Sequence, residues 1–226
     1  MKKIMWAVIT LILMAGCGDD NAKTTKDTDN EAAETKATEE KSAKKTIIFF
    51  GNSLTAGYGL DPDDAFPALI QKRLDSLGMG YTVVNAGVSG ETTATGVNRV
   101  EWVIAQNPPD VFVLELGGTD GLRGIPVEET NKNLLAIIEK VRGKYPEAKI
   151  VLAGMMIPPN MGPAYSKDFM AVFPAVAKEG NVKLIPFLLD KVGGEPELNL
   201  PDGIHPTEEG HRIVAETVWG VLRDVL

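Results

Sequence analysis

The two residues best suited to catalysis are a serine in a glycine-rich turn and a histidine in a loop near the C-terminus. Ser53 lies in the run GNSLTAGYG (51–59), and His205 follows Asp202 by three residues in the run PDGIHP (201–206). A serine hydroxyl is a weak nucleophile until a general base takes its proton. A tight Asp-x-x-His turn can bring the carboxylate to the imidazole, which fixes its tautomer and stabilises the imidazolium. These residue types indicate nucleophilic acyl chemistry.

The same residues allow other interpretations. Thr55 stands where the α/β-hydrolase elbow G-x-S-x-G has its second glycine. The glycine-rich run could cradle a phosphate, but it matches neither G-x-x-x-x-G-K-[ST] nor G-x-G-x-x-G. The chain has only one other histidine, His211, beside Arg212 in a predicted helix. We expect a structural or solvated role for His211 and assign the base to His205.

Acyl transfer also needs donors for the developing oxyanion. The run NAGVSGET (85–92) follows the second predicted strand, and the backbone N–H of Gly90 is the expected donor there. The run GGTDGLRG (117–124) follows the third predicted strand. In both runs the glycines could instead serve turn geometry alone.

Alternating strands and helices must position these residues. Short apolar runs predict buried strands at 46–50, 81–84, 111–116, 150–153 and 182–185. Helical spacing of apolar residues predicts helices around 66–77, 92–105, 134–141, 169–176 and 213–222. Gly78 is the expected C-cap of the first helix and Thr207 the expected N-cap of the last, while Pro174 is expected to kink or begin the fourth. This order predicts an α/β fold with a parallel sheet covered on both faces, and a site beyond the carboxyl ends of its strands.

Charge and cysteine content exclude several function classes. The 226 residues include 31 acids and 23 bases. Setting aside the two lysines of 1–16 and the eight acids and six bases of 17–45 leaves 23 acids and 15 bases in the body, 46–226. An acidic body argues against nucleic-acid binding. One cysteine excludes an intrachain disulfide framework and a thiolate zinc cluster, and two histidines disfavour a multi-histidine metal site. We expect no metal and no cofactor.

The N-terminus has the pattern of a targeting segment. Two lysines precede 13 uncharged residues, 4–16, which are too few to span a bilayer and fit a signal peptide. The run LMAGC resembles a bacterial lipobox that ends in the only cysteine, Cys17, which would then be lipidated. A plain secretory signal with a chance cysteine is the alternative. Residues 18–45 lack large apolar side chains and are expected to form a disordered tether.

Four sequence blocks occur in an order that resembles the SGNH (GDSL) hydrolase family. They are GNSLTAGYGL, NAGVSGETT, ELGGTDGLRG and DGIHPTEEGH, and they are most similar to the bacterial lysophospholipase, thioesterase and arylesterase branch. The resemblance covers 46–226 and implies a three-layer, flavodoxin-like fold with a five-stranded sheet. It also implies a catalytic triad of Ser53, Asp202 and His205, with the backbone N–H groups of Ser53 and Gly90 in the oxyanion hole.

The chain departs from the family pattern at two positions. Asn52 stands where the family name has Asp, and Thr119 stands where a third oxyanion donor, an Asn, is expected. A threonine hydroxyl can donate, but it cannot place an amide N–H at the same point. Because one oxyanion donor is worth about 10²–10³ in turnover in another hydrolase, we expect Thr119 to weaken or alter the activity without abolishing it.

The leading hypothesis is metal-independent hydrolysis of carboxylic esters or thioesters through an acyl-Ser53 intermediate. A carbohydrate O-acetylesterase, a flavin-binding module and a non-catalytic ligand-binding protein on a decayed hydrolase scaffold are the alternatives. The apolar run 155–163 could grip an acyl chain at the rim of the site, or it could be an ordinary packed loop. The expected partners are the acyl substrate and, through the lipid on Cys17, a membrane. We expect a monomer held in the bacterial cell envelope.

Overall fold

Five short apolar segments form one parallel sheet. A computed structural model describes residues 44–226; the predicted signal peptide, Cys17 and nearly all of the predicted tether lie outside the described residues. The strands are β1 (Lys45–Gly51), β2 (Tyr81–Gly87), β3 (Val111–Glu115), β4 (Lys149–Ala153) and β5 (Lys183–Ile185). Their order in the sheet is β2-β1-β3-β4-β5, and each neighbouring pair is parallel. This is the strand order of a flavodoxin-like fold, as expected.

Seven α-helices connect and follow the strands within the described residues. They are α1 (Ser53–Ala56), α2 (Phe66–Ser76), α3 (Thr93–Gln106), α4 (Gly118–Leu122), α5 (Val127–Lys144), α6 (Pro163–Glu179) and α7 (Glu208–Leu222). The five long helices that the sequence predicts are confirmed. Thr207 caps α7 as expected, accepting a hydrogen bond from the N–H of Gly210 at 3.3 Å. None of the helices in 44–226 has the length and apolar character needed to cross a membrane.

Two neighbouring phenylalanines of β1 show how the three layers arise. Successive side chains of a strand point to opposite faces of the sheet. Phe49 packs edge-on against Phe66 of α2, with ring centroids 5.4 Å apart. Phe50 faces the other way, where Gly96 of α3 packs closely against it. Helices α2 and α7 pack together in one layer and α3, α5 and α6 in the other, so the sheet is covered on both faces as predicted.

Strand β2 and helix α6 both extend beyond their predicted ranges. Strand β2 continues three residues past 84, because it pairs with β1 along its full length up to Gly87. Helix α6 begins at Pro163 and runs through Pro174, so the prediction that Pro174 begins this helix is wrong. Proline leaves the carbonyl four residues earlier without a partner. That carbonyl belongs to Met170, which lies on the exposed side of α6, where water can satisfy it.

The sheet order creates a crevice at the carboxyl end of β1. The chain leaves β1 for β2 on one side and later returns to place β3 on the other side. Ligand sites in open α/β sheets form where the order reverses in this way. Ser53 follows β1 by two residues, and Gly118 follows β3 by three. The fold therefore brings the first and third sequence blocks to one edge of the sheet.

Candidate active site

The turn between β1 and α1 presents the Ser53 hydroxyl. Asn52 is the N-cap of α1, and its Oδ1 accepts a hydrogen bond from the N–H of Leu54 at 2.9 Å. Gly57 ends this one-turn helix in the left-handed conformation, with φ of 76°. A residue with a side chain adopts that conformation only with strain. The tight turn leaves Ser53 half-buried at the N-terminus of α1.

The structure brings Ser53, His205 and Asp202 together although 152 residues separate the first from the second. The Nε2 of His205 lies 2.9 Å from the Oγ of Ser53, and its Nδ1 lies 2.7 Å from the Oδ2 of Asp202. The other oxygen of Asp202 accepts the backbone N–H groups of Ile204, at 2.9 Å, and His205, at 3.0 Å. The Asp-x-x-His turn thus fixes the orientation of the imidazole.

Hydrogen bonds to Asp202 keep its carboxylate charged. Partial burial pushes the pKa of Asp202 upward, but hydrogen bonds from the His205 ring and from the N–H groups of His205 and Ile204 outweigh it and lower the pKa to about 2. The loop is closed by a 2.7 Å hydrogen bond from the N–H of Leu200 to the carbonyl of His205. The ring of Tyr58 covers His205 at a centroid distance of 4.5 Å. A charged acceptor is therefore held on the side of the imidazole away from Ser53.

Two of the backbone N–H groups at the site that have no acceptor among residues 44–226 are those that the family resemblance assigns to the oxyanion hole. They belong to Ser53 and to Gly90, and both residues line the same cleft. Gly90 adopts a φ of 79°, which places it in the left-handed region that favours glycine. Its carbonyl accepts a 3.4 Å hydrogen bond from Nη2 of Arg123 at the rim. Thr119 also lines the cleft, and its hydroxyl makes no hydrogen bond to the described part of the chain.

Glu115, which no sequence motif marks, lies buried beneath the Ser53 turn. Its Oε2 accepts three hydrogen bonds, from the N–H of Asn52 at 3.1 Å, the N–H of Thr55 at 3.3 Å and the Oγ1 of Thr55 at 2.7 Å. A side chain at Gly51 would collide with this carboxylate, since a Cβ there would lie 2.5 Å from Oε2. The signal in the sequence was a lone acid at the end of the apolar run VFVLE.

Burial dominates the electrostatics of Glu115. Desolvation raises its pKa to about 7, against the lowering effect of the hydrogen bonds from Thr55 and Asn52. Its second oxygen, Oε1, has no hydrogen-bond partner within the described residues. The carboxyl group therefore takes up a proton close to neutral pH and still serves as an acceptor for the turn.

Asp120 of the third block is structural. It is fully buried and accepts the backbone N–H of Thr93 at 2.9 Å and the Oγ1 of the same residue at 2.6 Å. These bonds tie α4 to the start of α3. The sequence predicts a turn or loop here, and α4 is, with α1, one of the two short helices that it does not predict.

His211 is a structural residue of the core. Its Nδ1 accepts the backbone N–H of Phe66 at 3.1 Å, and its ring stacks on the Phe66 ring at 6.0 Å. Desolvation, followed by the influence of His205, lowers the pKa of His211 to about 4. The imidazole is neutral at neutral pH, and its Nδ1 is already bonded to the N–H of Phe66 at the start of α2. Of the two roles expected for His211, structural or solvated, the structure shows the first.

An open cleft of about 630 Å³ extends from Ser53 and His205. Much of its lining is apolar and includes Leu54, Met155, Met156, Ile157, Phe187 and Leu189. The predicted rim segment 155–163 thus contributes its first part to the cleft wall. Within 44–226, no three His, Cys, Asp or Glu side chains come together in a way that could hold a metal ion.

Comparisons with known proteins agree with this geometry. The model of the GDSL-like Lipase/Acylhydrolase family matches residues 49–213. The Esterase TesA of Pseudomonas aeruginosa is 40% identical over 187 residues, which cover 83% of this chain and 92% of the relative. The Thioesterase 1/protease 1/lysophospholipase L1 of Escherichia coli K12 is 35% identical over 174 residues, which cover 77% of this chain and 81% of the relative.

A solved structure extends the likeness to three dimensions. The psychrotrophic esterase EstA from a Pseudoalteromonas species, in a structure inhibited by monoethylphosphonate, superposes with a TM-score of 0.76 at 30% identity. The match covers 80% of this chain and 98% of that one. The strand order, the hydrogen-bonded serine, histidine and aspartate, and the matched segment lead to one assignment. The chain belongs to the GDSL-like lipase/acylhydrolase family and is an ester hydrolase.

Proposed function

We propose that the chain hydrolyses carboxylic esters and thioesters through a covalent acyl-Ser53 intermediate. The single observation that carries this proposal is the continuous line of hydrogen bonds from Ser53 through His205 to Asp202, opening onto an apolar cleft. In this proposal Ser53 is the nucleophile, His205 the general base and then the general acid, and Asp202 the carboxylate that stabilises the imidazolium.

The first half-reaction forms the acyl-enzyme. The Oγ of Ser53 bonds to the acyl carbon while its proton passes to Nε2 of His205, 2.9 Å away. The carbonyl oxygen becomes an oxyanion. When the tetrahedral intermediate collapses, the bond to the leaving oxygen or sulfur breaks, and that atom takes the proton from Nε2.

The second half-reaction repeats these steps with water. Nε2 of His205 takes a proton from water as the water oxygen bonds to the acyl carbon. Collapse breaks the Oγ–acyl bond, the acid departs, and Ser53 recovers its proton from the imidazolium. Asp202, held charged at neutral pH by the donors around it, stabilises the imidazolium in both halves.

The proposed oxyanion hole starts from the backbone N–H groups of Ser53 and Gly90. Donors that point to the developing charge and need no reorganisation supply much of the catalysis in acyl transfer. Both N–H groups lack an acceptor in the part of the chain that the structure describes. Thr119 lines the same cleft, and it stands at the sequence position where the family pattern leads us to expect an amide donor.

The proposed substrate carries an apolar acyl chain. The cleft walls present Met155, Met156 and Ile157 beside Leu54, and methionine adapts readily to irregular apolar ligands. This lining favours a fatty or aryl acyl group over an acetylated sugar, which would need many polar partners. The chain's relatives include an esterase and a thioesterase, which supports both leaving-group classes.

Replacement and labelling of Ser53 test the proposed function. A serine-directed organophosphonate should label Ser53 and abolish hydrolysis of p-nitrophenyl butyrate. Ser53→Ala should lower kcat by about 10⁴-fold or more, whereas Ser76→Ala, at the exposed end of α2, should leave it unchanged. Full activity in Ser53→Ala contradicts the proposal. Ligand binding without product on an ester panel would instead support the decayed-scaffold alternative, and preference for acetylated glycan the O-acetylesterase.

We also propose that Cys17 carries a lipid that holds the domain at a membrane of the bacterial cell envelope. The support is the signal-like segment 1–16 followed by the only cysteine of the chain. Acyl chains on one residue can anchor a domain that has no membrane-spanning segment. In cells, the full chain should partition into the detergent phase of Triton X-114, and Cys17→Ser should move it to the aqueous phase. Equal partitioning of the two contradicts the anchor.

A further inference from the structure

The side-chain amide of Asn52 has a fixed orientation beside the nucleophile. Its Oδ1 accepts the N–H of Leu54 at 2.9 Å and lies 3.5 Å from the Oγ of Ser53. A backbone N–H can face only the oxygen of a carboxamide, so the Nδ2 group must point the other way. Asn52 is 2% exposed and lines the cleft, so this amide sits at the cleft floor next to Ser53.

The Nδ2 of Asn52 points toward the loop that follows β3. A Cβ placed on Gly118 would lie 3.5 Å from this Nδ2 and 3.6 Å from the Cε of Met155. Across residues 44–226, the Nδ2 group donates to no protein atom. The Nδ2 atom itself keeps some exposure to the cleft, so a ligand there can reach it. It therefore has two N–H bonds to offer a ligand in the cleft.

We propose that Nδ2 of Asn52 is the third donor of the oxyanion hole, so that Asn52 is itself a catalytic residue. This inference rests on the proposed acyl-Ser53 mechanism. The amide faces Gly118, the residue before Thr119, and Asn52 and Thr119 line the same cleft, where an asparagine at 119 would otherwise be expected to donate. The two departures of this chain from the family pattern then form a single change: the amide moves from position 119 to position 52.

The chemistry of position 52 makes the two departures interdependent. An aspartate at 52 could accept the N–H of Leu54 in the same way as Asn52, but its second oxygen would be an acceptor and, when ionised, negatively charged. A negative oxygen facing a developing oxyanion opposes catalysis, whereas an amide N–H stabilises it. With an aspartate at 52, another side chain would have to supply the third donor. Thr119 cannot replace it, because its side chain is shorter than that of asparagine and has no amide N–H.

A set of four variants tests this inference with p-nitrophenyl butyrate as substrate. Asn52→Asp keeps the cap on Leu54 and the side-chain size, and it should lower kcat by about 10²–10³-fold with KM within about threefold. Thr119→Asn should raise kcat by less than the double variant gains over Asn52→Asp, because the third donor is already present in the parent. The double variant Asn52→Asp/Thr119→Asn should recover at least about tenfold over Asn52→Asp. Asn107→Asp, at the end of α3, is the control and should keep full activity.

The outcomes separate this inference from a structural role and from the mechanism itself. If Asn52→Asp retains a kcat within threefold of the parent while activity still requires Ser53, the inference is wrong and the mechanism stands. If the double variant recovers nothing, the amide has not moved between these positions and the inference is also wrong. If Asn52→Asp fails to fold in urea unfolding, Asn52→Ser, which retains a helix-capping oxygen but no amide, takes its place with the same expected loss. If Ser53→Ala remains active, the mechanism fails first.

Discussion

Two carboxylates support the Ser53–His205 pair, and their surroundings differ. Asp202 lies in a loop with its side chain 38% exposed, and hydrogen-bond donors reach both of its oxygens. Glu115 lies under the Ser53 turn with no exposed surface, and all three of its donors reach one oxygen. The first carboxylate orients His205, and the second holds the turn that carries Ser53.

The contrast shows how surroundings assign different tasks to the same group. Donors at an accessible carboxylate favour its charged form, and the pKa of Asp202 falls to about 2. Desolvation favours the neutral form, and the pKa of Glu115 rises to about 7. Asp202 can therefore offer a permanent negative charge to an imidazolium, while Glu115 provides an acceptor in a fixed place without adding a full charge beneath the oxyanion.

Removal of the charge at Asp202 should produce the largest effect on catalysis. Asp202→Asn keeps the size of the side chain but no longer favours the required tautomer of His205, so kcat should fall by about 10²–10⁴-fold. Thermal unfolding should change little, because the loop is exposed. Esterase assays and a melting curve of the same sample check both parts. A kcat within threefold of the parent would mean that His205 needs no carboxylate partner.

Removal of Glu115 should affect stability more than Asp202→Asn does. Glu115→Ala leaves the N–H groups of Asn52 and Thr55 buried without an acceptor, and each such group costs about 1–3 kcal/mol. We expect a loss of about 3 kcal/mol in the free energy of unfolding by urea, and a lower kcat because the Ser53 turn loosens. Glu139→Ala, on the exposed side of α5, is the matched control and should unfold like the parent. Unfolding of Glu115→Ala at the parental urea concentration would show that the turn does not depend on this carboxyl group.

The pH dependence of stability sharpens the same comparison. Because the pKa of Glu115 is raised, its contribution to stability is fully present below its ordinary value of 4.5 and is lost as the pH rises through about 7. Glu115→Gln cannot ionise at this position. Its free energy of unfolding should therefore rise relative to that of the parent by about 2–3 kcal/mol between pH 5 and pH 8. Urea unfolding of both proteins at the two pH values measures this gain. His211 is present in both proteins, so its contribution to the pH dependence cancels in the comparison. A relative change of the opposite sign would mean that the folded protein favours the charged form of Glu115.

The smallest expected effect is the pH dependence due to Asp202, and it has the opposite direction. Because the pKa of Asp202 is lowered, its contribution is present above its ordinary value of 3.8 and is lost as the pH falls toward about 2. Solvent screens this exposed side chain, so the effect on the melting temperature should be smaller than that of Glu115. Melting curves of the parent and of Asp202→Asn at pH 5 and pH 3 should converge at the lower pH. Curves that diverge there contradict the assigned direction.

The sequence predicted the parts of this molecule that local patterns specify. The five strands and the long helices follow from apolar periodicity, and Ser53, Asp202 and His205 stand out because glycine turns, a short Asp-x-x-His spacing and a scarcity of histidines mark them. The resemblance to the SGNH family added Gly90 and the importance of positions 52 and 119. These residues lie in loops whose composition is itself the signal.

Features that depend on distant parts of the chain were not predictable in this way. Glu115 acts on the Ser53 turn from 60 residues away, and only the pairing of β1 with β3 brings them together. His211 is structural because α2 offers it the N–H of Phe66. The direction of the Asn52 amide is fixed by a single backbone donor, which no pattern of residue types reveals.

Trapping the acyl-enzyme shows whether Ser53 becomes acylated during turnover. The parent protein should be mixed with p-nitrophenyl butyrate, quenched in acid within milliseconds and digested for mass spectrometry. One butyryl group is expected on the peptide that contains Ser53, and no such adduct is expected in His205→Ala. Steady turnover of the ester with no adduct, or with the adduct on a different residue, would contradict the acyl-Ser53 mechanism.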